Sequence, residues 1–197
     1  GMLWVGTTGG GLCRFDAARA RFSRFRARPG DPAALGSDAI TAIVGDHDGT
    51  LWIGTDGGGL SRLDRSTGAI ATVRHNPADP RSLSADRVWS LLEDRSQVLW
   101  VGTYGGGLSR LDLARKPFRH VRSEPGNPNS LSHDIVWSIY EDTDGILWVG
   151  TDLGGLNRWD RRSDTWRSWR YDPEDPTSLS HDTVRVITAD RDGTLWL

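Results

Sequence analysis

The chain has 197 residues and a formal net charge of −2, with 24 Lys plus Arg set against 26 Asp plus Glu. The two signs are evenly mixed with no basic stripe, which excludes nucleic acid as the main partner, and the lone Cys13 excludes both an internal disulfide and a cysteine zinc site. No stretch approaches the roughly 20 apolar residues of a transmembrane helix, whereas ten tryptophans and twenty-four glycines point to a repeat architecture.

From the first residue the chain is already inside a repeat. Gly1-Met2-Leu3-Trp4-Val5 matches Gly49-Thr50-Leu51-Trp52-Ile53, so Met2 holds the place of Thr50, Val98, Ile146 and Thr194 and need not be an initiator. Trp4, Trp52, Trp100, Trp148 and Trp196 follow one another at 48 residues with no insertion. Glycines (Gly6, Gly54, Gly102, Gly150) and aspartates (Asp16, Asp64, Asp112, Asp160) keep the same phase, as do Asp38, Asp86, Asp134 and Asp182.

The unit reads as four short strands. Its clearest copy begins with Val88 to Glu93, β-branched and apolar, followed by a turn at Asp94 to Gln97 whose counterparts carry the Asp-Gly hairpin signal. The second strand is Leu99 to Thr103. Gly105-Gly106-Gly107 then leads into a half-buried alternating strand, Leu108 to Asp112, and the fourth is Phe118 to Arg122. A Pro/Asn loop delivers the chain to the next unit.

Four antiparallel strands repeated without a helix predict an all-β chain, a β-propeller of four-stranded blades. A sheet this small cannot cover both its faces, so blades stack around an axis, and the in-phase Trp4, Trp52, Trp100 and Trp148 are the expected wedges. One buried Trp hides ~150–250 Å², worth about 4–6 kcal/mol gross at ~25 cal/mol per Å².

Residues 1–197 are expected to be one partial propeller: strands two to four of one blade, whole blades at about 38–75, 86–122 and 134–170, and the first strands of another from 182. An open arc of a larger ring is the preferred arrangement, because closure into a four-bladed ring would give one blade two copies of its second strand. That closed ring is the alternative.

Several motifs invite chemistry. The triple glycine lacks the Lys-Ser/Thr entering a helix that a phosphate loop needs, so it reads as turn geometry. The Asp-X-Asp-Gly turns lack the twelfth-position Glu of a calcium loop. No metal and no cofactor are expected. Ser132-His133-Asp134 is too close in sequence to form a triad. His133 and His181 are expected either to cap a loop or to line a ligand funnel.

In a propeller the fourth-to-first and second-to-third loops emerge on one face. Thr8, Asp56, Tyr104 and Asp152 share one phase there; Thr41, Trp89, Trp137 and Arg185 share another at the start of the axis-lining strand. Aromatic, acidic and basic groups around a central opening suit a polar ligand such as a sugar. The candidate ligand-binding set is therefore Tyr104, Asp56, Asp152, Trp89, Trp137, Arg185, His133 and His181, with neutral drift in exposed turns as the competing explanation. No catalytic residue is expected.

The run Asn127 to Asp134, then Val136 to Asp142, then Asp144 to Thr151, together with Gly105 to Asp112, resembles the two-component regulator propeller repeat over essentially the whole chain. Leu153 replaces a glycine of that pattern, Gly36 a serine, and Ser96-Gln97 an Asp-Gly. The resemblance implies a seven-bladed sensor domain in the periplasmic, extracytoplasmic part of a bacterial inner-membrane receptor, whose output is commonly a histidine kinase, sometimes a diguanylate cyclase or a DNA-binding regulator. It also implies an oligosaccharide or other polar small ligand. A neighbouring propeller or β-sandwich domain of the same parent chain is a further expected partner, with a homodimer as another arrangement. The alternatives are a propeller-fold carbohydrate-active enzyme, using carboxylates among Asp56, Asp86, Asp134, Asp152 and Asp182, or a purely structural or protein-docking propeller.

Overall fold

A computed structural model describes residues 2–112 and 117–197. Gly1, which opens the first repeat phase, lies outside the described residues. Alternating strand pattern and glycine-marked turns produce seventeen strands, and the described residues contain no helix. Blade 1 has three: β1 (Met2–Gly6), β2 (Leu12–Asp16) and β3 (Arg21–Phe25). Blade 2 has β4 (Ile40–Gly45), β5 (Thr50–Thr55), β6 (Gly59–Asp64) and β7 (Ile70–Val73). Blade 3 has β8 (Val88–Glu93), β9 (Val98–Thr103), β10 (Leu108–Asp112) and β11 (Phe118–Val121). Blade 4 has β12 (Val136–Glu141), β13 (Leu147–Thr151), β14 (Leu156–Asp160) and β15 (Thr165–Trp169), and a last pair, β16 (Thr188–Ala189) with β17 (Leu195–Trp196), begins blade 5.

Every pairing between these strands is antiparallel and joins neighbours in sequence. Blade 5 is shorter than its phase mates, since two strands without a third cannot bury a face. Both ends stay uncovered: Met2, Leu3 and Phe22 at one, Val186, Trp196 and Leu197 at the other. The blades therefore form an open arc and not a closed four-bladed ring.

The core lies between blades. Trp52 packs on Leu83, Val88, Leu99 and Val101 of blade 3, and Trp100 packs with Leu147 and Ile139 of blade 4. Trp4 sits with Ile40, Leu51 and Ile53 of blade 2, and Trp148 with Val184, Ile187 and Leu195 of blade 5. Burial grades along the arc: Trp100 is 1% exposed and Trp52 5%, Trp4 and Trp148 are half-buried, and Trp196 is 60% exposed.

Four of the five in-phase tryptophans are also tied by their indoles. The N–H of Trp52 donates to Asp46 Oδ2 at 2.9 Å, Trp100 to Asp94 at 2.7 Å, Trp148 to Asp142 at 2.7 Å and Trp196 to Asp190 at 3.1 Å. The other oxygen of each aspartate caps its turn; Asp94 Oδ1 accepts the amides of Ser96 and Val98. The Asp-Gly turns are thus hairpins whose first residue anchors the wedge. In blade 3 Gln97 takes the positive φ, 60°, that Gly49 and Gly145 take elsewhere.

The aspartates ending the third strands do similar local work. Asp64 accepts the Ser66 hydroxyl and the amides of Ser66 and Thr67, which hold its carboxyl down at about 2.

Blades are also latched to each other at their first turns. His47 of blade 2 donates its amide to Glu93 of blade 3 at 3.1 Å, and its Nδ1 lies against the same carboxylate; the amide of Arg95 donates to Glu141 of blade 4 at 3.0 Å. The hydrogen bond to Glu93, aided by Asp48, raises the His47 imidazole above its ordinary 6.5. The fold thus favours protonated His47. Its contribution is complete below pH 6.5 and is lost as pH climbs through the raised value. Over that window wild type should lose stability relative to His47→Gln in chemical denaturation; parallel pH profiles would contradict the latch.

Gly36, where the later repeats have Ser84, Ser132 and Ser180, is a compensated exception. A Cβ there would lie 1.8 Å from the Gly58 carbonyl oxygen, because the loop has closed into the space that Ser84 and Ser132 occupy in the later blades. Restoring the repeat residue with Gly36→Ser should therefore destabilise by about 1–3 kcal/mol, as overpacking does. A denaturation midpoint at or above wild type would refute this.

Candidate functional site

The sequence-chosen residues gather on the face formed by the second-to-third and fourth-to-first strand loops. The position of the inner row is set by a repeated irregularity. Pairing shifts between Ile40 and Ala42, between Val88 and Ser90, and between Val136 and Ser138, which leaves Thr41, Trp89 and Trp137 as the extra residues. A bulge re-aims its extra side chain and ends regular pairing, and bulges concentrate beside functional sites.

Here they place one side chain per blade in a continuous row. Thr41 Oγ1 donates to the Val88 carbonyl at 2.5 Å. Trp89 and Trp137 meet with ring centroids 4.7 Å apart at 43°. The Arg185 guanidinium lies 5.3 Å from the Trp137 ring centre. Arg185 is exposed and makes no ion pair or hydrogen bond among the described residues.

Around this row four buried polar atoms lack a partner: the indole N–H groups of Trp89 and Trp137 and the hydroxyls of Ser90 and Ser138. They occupy identical positions in neighbouring blades. An unpaired buried donor costs about 1–3 kcal/mol, so two matched pairs at one end of the axis are a distinct local feature.

A second row forms the rim. Asp56 accepts from Arg87 Nε at 2.9 Å, and the same guanidinium lies 5.2 Å from the Tyr104 ring centre. Tyr104 is 41% exposed and bridges to Ile135 of the next blade. Asp152 accepts the Thr183 hydroxyl at 3.0 Å. Arg87 was not singled out by sequence, although its phase, shared with Ala39, Ile135 and Thr183, adjoins the chosen column.

His133 and His181 sit apart from the axis row. Their Nδ1 atoms accept the amides of Ile135 at 3.2 Å and Thr183 at 2.9 Å, the work that the Ser37 hydroxyl does in blade 2. Asp86, Asp134 and Asp182 each accept an amide at 2.7 Å, from His75, Ser123 and Tyr171. These are loop caps.

Sequence reasoning also passed over the Arg14, Arg62, Arg110 and Arg158 column, each paired across strands with its blade's Trp. The constant ten-residue offset from the tryptophans would have revealed it. On the opposite face, Arg110, Trp100, Trp159 and Arg161 line a cleft of about 450 Å³. A cleft of about 760 Å³ lies beside the loop at 27–36. The axis row lines neither. Among the described residues no cluster of His, Cys, Asp and Glu could hold a metal ion, and no helix is long and apolar enough to cross a membrane.

Four-stranded antiparallel sheets stacked side by side, with their first strands innermost, define the chain as a β-propeller arc. The family model of the two component regulator propeller matches residues 34–57, 82–105 and 130–152. No curated protein matches the sequence significantly.

Among solved structures it is similar to the extracellular domain assigned to a hybrid two component system, BT4673, of B. thetaiotaomicron. The identity is 25% over 99% of this chain and 24% of that one, with a TM-score of 0.80. A second such domain, BT3049 of the same organism, matches at 24% identity over 99% of this chain and 30% of that one, with a TM-score of 0.70. Virginiamycin B lyase from Staphylococcus aureus shares the fold at 17% identity over 100% of this chain and 59% of that one, with a TM-score of 0.69. The chain spans less than a third of the two component system domains it matches.

Proposed function

We propose that the chain is a ligand-sensing segment of the extracytoplasmic propeller of a bacterial membrane receptor, with a histidine kinase or similar output elsewhere in the parent protein. The observation that carries this reading is the triple match to the two component regulator propeller repeat. The likeness to extracellular domains of two component systems supports it. The axis row supports the ligand: Trp89 and Trp137 offer indole faces of the kind that pack on the C–H face of a sugar, and the rim of Asp56, Arg87 and Tyr104 supplies polar groups around it. The natural ligand is then a polar small molecule of the oligosaccharide class. A neighbouring propeller or β-sandwich of the parent chain, or a second copy in a homodimer, would receive the signal.

The glycosidase alternative is disfavoured by the carboxylates themselves. Asp86, Asp134 and Asp182 accept backbone amides, Asp56 is paired with Arg87, and Asp152 accepts the Thr183 hydroxyl. Hydrolysis needs two carboxyl groups facing one bond.

The test is a glycan-binding screen on the full-length protein, with Tyr104→Ala as the probe variant. Tyr104 is exposed, so its loss should shift stability by no more than about 0.5 kcal/mol while weakening capture of whichever glycan binds. Depolymerisation of a bound glycan by the parent protein, or no glycan bound at all, would overturn the reading.

A further inference from the structure

The cleft of about 450 Å³ on the face opposite the axis row has a chemistry of its own. Blades 3 and 4 bound it, each with all four strands, and no residue of the end blades lines it. Its size falls in the usual range of small-ligand pockets, ~300–1,000 Å³. Departures from the repeat collect here. Ser96 stands where the other repeats have Asp48, Asp144 and Asp192, so this turn lacks a carboxylate. Arg162 stands where they have Ala18, Ser66 and Ala114, and Trp159 where they have Phe15, Leu63 and Leu111. All three line the cleft.

The cations of the cleft differ in what they meet. Arg161 is held by Asp94 and Glu141, and Arg95 donates to the carbonyls of Thr143 and Asp142 at 2.8 and 2.9 Å. Arg110 has no such acceptor. Its Nε is buried without a partner, and its guanidinium makes no hydrogen bond or ion pair among the described residues. Residues 113–116, which lie outside the described residues, are Leu, Ala, Arg and Lys and include no carboxylate. Directly across the strands from Arg110 is another cation, Arg119. The Arg162 guanidinium is also unpaired among the described residues, and Asp144, the lining carboxylate without an ion pair, is exposed. Buried polar groups almost always have a partner, so an orphaned charged donor beside a cleft marks a place for a bound ion.

We infer that this cleft is a site for a phosphate monoester: the phosphate pairs with Arg110 and Arg162, and the organic part lies against Trp159. A phosphate suits two guanidinium groups better than a carboxylate does, since it offers three acceptor oxygens and carries about −1.5 to −2 charges at pH 7. Trp159 is a firm wall, with its ring stacked on Trp166 at 4.8 Å and 13° and its N–H donating to Asp164 at 3.0 Å. The site is separate from the axis row and does not depend on the sensor reading.

The experiment is calorimetric titration of the full-length protein with phenyl phosphate, benzoate, phenol and inorganic phosphate. Phenyl phosphate should bind at least tenfold tighter than any of the other three, and about 0.5 M salt should weaken it severalfold. Arg110→Gln should cost it tenfold or more. Because Arg110 also lies over the Trp100 ring, a second variant reads the charge without touching the packing. Ser96→Asp restores the repeat residue at an exposed position, and should weaken phenyl phosphate severalfold with an unchanged melting curve. Benzoate binding as tightly as phenyl phosphate overturns the phosphate assignment. Inorganic phosphate binding as tightly overturns the part given to Trp159. No binding of phenyl phosphate, or binding that neither variant alters, overturns the site, while the glycan screen decides the sensor reading separately.

Discussion

Trp100→Ala should lower the stability of the arc by about 3–5 kcal/mol, the range for deleting a buried Trp. The indole is 1% exposed and packs among Val98 and Leu92 of its own blade and Leu147 and Ile139 of the next. Trp159 meets it edge-on at 5.4 Å, and the guanidinium groups of Arg110 and Arg161 lie 5.9 and 5.7 Å from its ring centre. Truncation opens a cavity between two blades, frees both guanidinium groups from their aromatic support and removes a donor from buried Asp94. A loss of this size is a large share of the 5–15 kcal/mol that holds a typical domain. For a chain of this length it corresponds to a melting temperature about 6–20 °C lower. Trp196→Ala, in the same phase but exposed, should change little; equal losses at the two positions would show that the inter-blade wedge is not what stabilises the arc.

Asp94→Ala should cost a comparable amount, about 3–5 kcal/mol, the range for removing one partner of a buried ion pair. The Asp94 side chain is fully buried, and the Arg161 side chain that reaches it from blade 4 is largely so. The carboxylate accepts the Trp100 indole N–H, the amides of Ser96 and Val98, and the Arg161 guanidinium. Removing it leaves three neutral donors without an acceptor and takes one of its three acceptors from the Arg161 guanidinium. Arg161 keeps Glu141 and the Gly145 carbonyl, so the loss stays below the sum of its parts. Asp94→Asn keeps an oxygen for the turn amides but not the charge, and should fall between wild type and alanine in urea denaturation. Asparagine as damaging as alanine would mean that the ion pair dominates. Asparagine equal to wild type would mean that the turn amides do.

The all-β propeller architecture was legible because the repeat is without gaps. A column such as Trp4 to Trp196, held at 48 residues, reports a packing position directly, since only equivalent burial selects the same bulky side chain each time. The blade 3 strands Val88–Glu93 and Leu108–Asp112 follow from alternation and turn residues. The strand pattern does not show the bulge. Trp89 and Trp137 share a phase in sequence, but their contact depends on an extra residue slipping the ladder between Val88 and Ser90 and again between Val136 and Ser138. His133 beside Asp134 looked as suited to a funnel as Tyr104. A two-residue hydrogen bond to the Ile135 amide assigns it to its own loop, and only backbone direction decides that.

The amino-acid order by itself determined the unit, its four strands and the residue that wedges each blade, because period and alternation are local properties that burial stamps on a repeat. The tertiary structure alone decided which neighbour each charge meets. Arg87 and Arg185 look alike as letters, yet one pairs with Asp56 of the preceding blade and the other lies on the Trp137 ring. Pairing across blades joins residues some 30 to 50 positions apart, and its outcome depends on distances of a few ångströms that no spacing along the chain encodes.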